Sequence, residues 1–123
     1  MNQSSTQISF PIESEKWVDE KNSYMNIPAE LKSFFPDDCF IARGTGKENK
    51  ALLLERGIDI QYEGNSAPVR CFIELRDSGK FRPSARGHIK TFYAQTGAGL
   101  HDSIEFRRSG ERAFVVSLVK PRS

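Results

Sequence analysis

The sequence predicts a mostly β protein, a small and mainly antiparallel barrel of about seven short strands with two short helices. Three observations lead there. Apolar residues alternate with a period of two in several separate runs, the pattern of strands with one buried face. Turn residues such as Glu63-Gly64-Asn65-Ser66 and Ser109-Gly110 punctuate those runs. Helical spacing occurs in only two places, with no βαβ alternation and no internal repeat. With 123 residues and nine Phe, the chain reads as a single domain, 1–123, large enough to bury about two-thirds of its unfolded surface.

Taken in order, residues 6–12 form a strand in which Ile8, Phe10 and Ile12 alternate and Pro11 marks a sheet edge. Residues 13–24 are polar with one Trp and read as a loop. Pro28 suits a first helical position, and Ile27, Leu31, Phe34 and Phe35 repeat at helical spacing, so residues 29–34 are a short helix stopped by Pro36. Residues 38–42 are a short strand, and Gly44-Thr45-Gly46 opens a loop. Leu52, Leu53 and Leu54 are assigned to a buried strand broken by Gly57. Ile58, Ile60 and Tyr62 alternate in the next strand. Val69, Cys71, Ile73 and Leu75 then face the core, with Arg70, Phe72 and Glu74 on the other face. A turn-rich basic loop follows, then a short helix carrying Ile89, Phe92 and Tyr93. Two last strands, 103–107 and 112–119, form a hairpin around Ser109-Gly110.

The net charge of +2 says little, but the charges are segregated. Between residues 76 and 90, Arg76, Lys80, Arg82, Arg86 and Lys90 stand against a single acid, Asp77. Between residues 14 and 20 the three acids Glu15, Asp19 and Glu20 stand against one lysine, Lys16. A basic loop pinned at both ends by regular structure suits a rigid reader of a polyanion.

Other chemistries find little support. No apolar run approaches the ~18 residues of a membrane span, and the N-terminal Met-Asn-Gln-Ser-Ser-Thr-Gln lacks the pattern of a signal peptide. Cys39 and Cys71 lie in apolar runs and are expected to be buried free thiols. Cys39, Cys71, His88 and His101 have no finger-like spacing, so no metal is expected. Gly44-Thr45-Gly46-Lys47 lacks the spacing of a phosphate loop, and no cofactor is expected. A metal nuclease would need converging carboxylates and a lysine. Pro36-Asp37 is followed by no Asp/Glu-x-Lys, and Glu74-Leu75-Arg76 has Arg in place of the Lys, so the chain is not expected to be an enzyme.

Two stretches carry a family resemblance. His88-Ile89-Lys90-Thr91-Phe92-Tyr93 is followed by Gly99-Leu100-His101-Asp102-Ser103-Ile104-Glu105-Phe106-Arg107, and Ile27-Pro28 precedes a short helix ending in Phe34-Phe35-Pro36. In order and type these parts resemble the B3 DNA-binding family, whose fold is a seven-stranded open antiparallel pseudobarrel. The family includes plant transcription-factor domains and the recognition or effector domains of bacterial restriction endonucleases. The Gly that family members carry before the turn Asp is His101 here. The plant-type Lys-Leu-Asn-Arg stretch before the first helix is absent, which favours the restriction-enzyme branch.

The resemblance implies sequence-specific binding of double-stranded DNA through the major groove by two arm loops, an N-arm at about 13–24 and a C-arm at about 76–87. It also implies a nuclease domain or subunit as partner. The compartment expected is the bacterial cytoplasm, at the nucleoid, or a nucleus should the plant branch apply. Guanine is read by bidentate donors and the cytosine amine by carboxylates. The C-arm offers Arg76, Asp77, Ser78, Lys80, Arg82, Ser84 and Arg86, with His88 just beyond it. Arg82 or Arg86 is expected to read guanine and Lys80 to contact phosphate. The N-arm offers Lys16, Lys21, Asn22, Ser23 and Tyr24 as donors, Asp19 as an acceptor and Trp17 as a surface to pack on the backbone. Two rivals remain open: a single-strand or RNA-binding barrel stacking bases on Trp17, Tyr24, Phe72 and Phe81, and a small metal-dependent nuclease.

Overall fold

Alternating apolar and polar residues become strands wherever their apolar positions share a core. In a computed structural model describing residues 6–19, 21–42, 50–76 and 79–121, these strands are β1 (Gln7–Pro11), β2 (Phe40–Ala42), β3 (Ile58–Tyr62), β4 (Val69–Cys71), β5 (Ile73–Leu75), β6 (Phe81–Pro83), β7 (Ser103–Gly110) and β8 (Ala113–Val119). Two helices accompany them, α1 (Lys50–Arg56) and α2 (Arg86–Thr96). The larger sheet has the order β1-β7-β8-β3-β4 and the smaller one the order β2-β5-β6. Together they make an open pseudobarrel. Antiparallel pairing dominates, but β3 runs parallel to β8, with Ile60 opposite Phe114, and β2 runs parallel to β5, with Phe40 opposite Ile73. The sheets are therefore mixed. Hairpin signals show only pairing between neighbours in sequence, whereas parallel partners are brought together by long crossovers.

The two sheets are joined where β4 gives way to β5. At Phe72 the chain leaves one sheet and enters the other. The Phe72 N–H donates to Ser84 Oγ at 3.2 Å, and the Phe72 carbonyl accepts from the Ser84 N–H at 3.0 Å. Covered on both sides at this seam, Cys71, Phe72, Ile73 and Glu74 are all buried. Phe72 and Glu74 were expected to face outward, and Leu75, expected to face inward, is 47% exposed. A strand that changes sheets does not keep one wet face.

The core is aromatic. Phe35 meets Phe106 edge to face at 5.6 Å, Phe10 stacks on Phe106 at 6.0 Å, and Phe34 lies 5.4 Å from Phe114. The stretch Ala29–Phe34 is a 3-10 helix, not an α-helix. Pro28 and Pro36 leave too few residues between them to offset the cost of nucleating an α-helix.

The triple leucine is α1, not a strand, and none of its residues is buried, Leu54 being 73% exposed. Lys, Ala, Leu, Glu and Arg are all strong helix formers and none is β-branched, so local propensity prevails over the apolar run. Gly57 ends α1: its N–H donates to the Leu53 carbonyl at 2.9 Å, and a Cβ there would meet that oxygen at 2.6 Å. Arg70 donates to the Leu53 and Leu54 carbonyls at 3.2 and 2.7 Å, a second donor for the first and a side-chain cap for the C-terminal end of α1.

α2 buries Ile89, Phe92 and Tyr93, with Phe92 5.5 Å from Tyr62 of β3, and ends at left-handed Gly97. The turn into β7 holds His101 at φ 81, a left-handed conformation that favours glycine. Cys39 and Cys71 are buried free thiols, as expected. Among the described residues no helix is long and apolar enough to cross a membrane.

Candidate nucleic-acid interface

The N-arm folds on itself before it meets anything else. Ser14 Oγ accepts the Lys16 N–H at 3.2 Å, capping a 3-10 turn at Glu15–Trp17. Trp17, only 2% exposed, packs against Phe10 at 6.3 Å and Tyr24 at 6.2 Å. It anchors the arm to the core and offers no face to a ligand, which corrects its assignment as a DNA contact. Next, the Asp19 carbonyl accepts the N–H groups of Asn22 and Ser23, both at 2.9 Å, while Asp19 Oδ1 accepts the Lys21 N–H at 3.1 Å. Ser23 closes this turn in a left-handed conformation, φ 46, and is buried, so it too leaves the set of contacts. One acid of the arm is thus occupied in shaping it.

The C-arm is the hairpin between β5 and β6. Arg76 N–H donates to the Lys80 carbonyl and Gly79 N–H to the Arg76 carbonyl, both at 2.9 Å, with Gly79 at φ 83. Asp77 and Ser78 lie outside the described residues, as does Glu20 of the N-arm. Arg76 is half-buried and paired with Glu74 at 3.4 Å, so its charge is partly compensated. Ser84 Oγ is engaged with Phe72 at the seam.

The arms lie against one another. Phe81 and Ile27 exchange backbone hydrogen bonds at 2.8 and 3.1 Å, and Lys80 Nζ sits 3.5 Å from Glu13. The Arg82 guanidinium lies 3.8 Å over the Tyr24 ring while its Nε donates to Asn26 Oδ1 at 2.6 Å. Arg86 reaches back across more than sixty residues: Nε donates to the Asn22 carbonyl at 3.2 Å, and Nη2 to the carbonyls of Lys21 at 3.2 Å and Asn22 at 2.5 Å. Tyr93 Oη donates to the Tyr24 carbonyl at 2.8 Å. Burial pushes the Tyr93 hydroxyl up, so it stays a neutral donor.

Lys16, Lys21, His88 and Lys90 are exposed on the arms and on the first turns of α2, and none of them is in an ion pair among the described residues. Sequence reasoning missed Asn26 and Tyr93. Asn26 had a signal: it is polar between Met25 and Ile27, both wholly buried, so alternation turns it to the outer face. Tyr93 had none, because a helix residue at an apolar position reads as core, which it also is.

The surface holds little for stacking bases. Phe72 and Phe81 are 3% and 5% exposed, and Tyr24 is covered on one face by Arg82. Of the rings named for base stacking, Trp17, Phe72 and Phe81 are thus buried and Tyr24 is partly covered.

The fold is similar to that of a hypothetical protein of Arabidopsis thaliana whose structure is solved, with a TM-score of 0.55 and 16% identity over 98% of this chain and 96% of that one. No family model and no curated protein matches the sequence. At this identity the likeness speaks to fold alone: a mostly β, open pseudobarrel, in keeping with a B3-like architecture.

Proposed function

We propose that the chain binds double-stranded DNA sequence-specifically, seating the arms at about 13–24 and 76–87 in the major groove. In this reading it is the recognition or effector module of a restriction endonuclease system, with the nuclease on a separate domain or chain. The observation that carries the DNA reading is the fastening of the basic C-arm to the N-arm by Arg82 and Arg86. Groove recognition loses affinity to every loop that must be ordered on binding, and arms already fixed avoid most of that loss. The restriction assignment rests on the resemblance of Gly99-Leu100 through Arg107 and on the missing plant-type stretch.

Roles follow from geometry. Arg82 is held flat by Tyr24 and tethered by Asn26, the preorganisation expected of a guanine reader. Lys16, Lys21, Lys80, His88 and Lys90 supply donors to phosphate oxygens. Asp19 and Glu13 cost less repulsion than their charge implies, since Asp19 accepts from its own turn and Glu13 faces Lys80.

Selection of binding sites from a random duplex library tests the reading, and enrichment of a defined motif is expected. If about six phosphates are neutralised, log affinity for that motif falls with log salt at a slope of about −5. Arg82→Ala is expected to weaken binding by about 1–3 kcal/mol and to relax preference at one base pair. No enrichment, a flat salt response or preference for the single strand would each overturn the proposal.

A further inference from the structure

Arg86 and Tyr93 lie two turns apart on one face of α2, and both bond the same short stretch of the N-arm. Arg86 takes the carbonyls of Lys21 and Asn22, and Tyr93 takes that of Tyr24. The core side of α2 is packed into the core, where Ile89 and Phe92 are wholly buried. The helix is therefore a splint that ties residues 21–24 to the core. We propose that Arg86 is a positioning residue: it sets the spacing of the two arms, and so the sequence discrimination of the face, without itself reading a base. This inference rests on the DNA-binding reading above.

The chemistry separates this role from those usual for arginine. A guanine reader presents two parallel N–H groups to the base edge, but Arg86 has turned its Nε and Nη2 edge onto the arm. A simple phosphate contact needs charge without shape, and lysine serves equally. Here the planar fork spans two successive carbonyls, which a single ammonium on a flexible stem does not reproduce. Carbonyl oxygens carry no full charge, so the guanidinium keeps its positive field for the duplex while holding the loop.

Two variants and one control test it. Arg86→Lys keeps the charge and loses the fork, Arg86→Ala loses both, and Lys90→Ala removes a nearby exposed charge that is in no ion pair among the described residues. Hydrogen exchange is followed at the amides of Asn22, Ser23 and Tyr24. Binding is compared between the selected duplex and a scrambled one across a salt series. Both Arg86 variants are expected to exchange faster at these amides. Both are also expected to narrow the ratio of selected to scrambled affinity by about tenfold, with discrimination loosened at several base pairs together. Arg86→Lys should leave the salt slope unchanged, whereas Lys90→Ala should weaken both duplexes alike.

Unchanged exchange in Arg86→Ala overturns the splint, and so does loss confined to one base pair, which would make Arg86 a reader. Wild-type behaviour of Arg86→Lys would make it a phosphate contact. Should the wild-type chain bind no duplex at all, the DNA reading fails while faster exchange still establishes the clasp.

Discussion

Cys39 and Cys71 show how burial decides chemistry one side chain at a time. Burial pushes both thiols up to about 12, with the neighbouring Asp38 carboxylate adding to the rise at Cys39 and the neighbouring Cys39 to that at Cys71. The thiolate is the reactive form, so neither residue is expected to react with an alkylating reagent at neutral pH until the chain unfolds. Labelling should track the unfolding transition in denaturant; fast stoichiometric labelling of the native protein would contradict the burial. The folded values lie above the ordinary value of 9.0, so this contribution to stability is intact below that pH and is lost as pH rises toward about 12. These thiols were legible in the sequence because both sit in apolar runs. Arg82 was legible as a cation but not in its setting, since the ring beneath it and the amide beside it come from Tyr24 and Asn26, 58 and 56 positions away.

Among the elements, those built on alternation were readable and those decided by local competition were not. The hairpin β7–β8 and the strands β1 and β3 follow directly from period-two patterning, which needs no knowledge of partners. α1 did not, because three leucines are compatible with a buried strand or a helix and only their flanking residues decide. The seam at Phe72 was invisible for another reason: a change of sheet is a tertiary event with no local signature. The turn before β7 is the clearest case of a local rule being broken. His101 holds φ 81 with its side chain exposed, at the place where the resemblance puts Gly. His101→Gly removes the clash between Cβ and backbone at little loss of contact, although it also loosens the unfolded chain. A net gain of about 0.5–1 kcal/mol is expected, read as a higher Tm. An unchanged or lower Tm would show that the imidazole makes a contribution that the left-handed geometry does not account for.

At the scale of the molecule, no continuous ladder joins the two sheets of an open pseudobarrel, and side-chain contacts at the hairpin end tie them together. β7 passes from Ser103, which pairs with Pro11 at the root of the N-arm, to Gly110. Just past that far end, Arg112 places Nη2 2.7 Å from both Asp38 oxygens, and Asp38 stands immediately ahead of β2 in the smaller sheet. Arg112 Nη1 also donates to the Arg56 carbonyl at 3.1 Å, and Arg56 Nε to the Asp38 carbonyl at 2.9 Å, so α1 is drawn into the same junction. The hydrogen bonds from Arg112 hold the Asp38 carboxyl below its ordinary value of 3.8, against the opposing effect of partial burial. A carboxylate whose folded value is depressed contributes stability above its unfolded value and loses it as pH falls through the folded one. Wild-type protein and Asp38→Asn should therefore differ in Tm at neutral pH, and the difference should shrink as pH falls below 3.8. High salt should narrow it as well, because the pair is partly exposed. Equal Tm values at neutral pH would mean that Asp38 acts through its backbone carbonyl, which the substitution keeps and to which Arg56 donates, and not through its carboxylate.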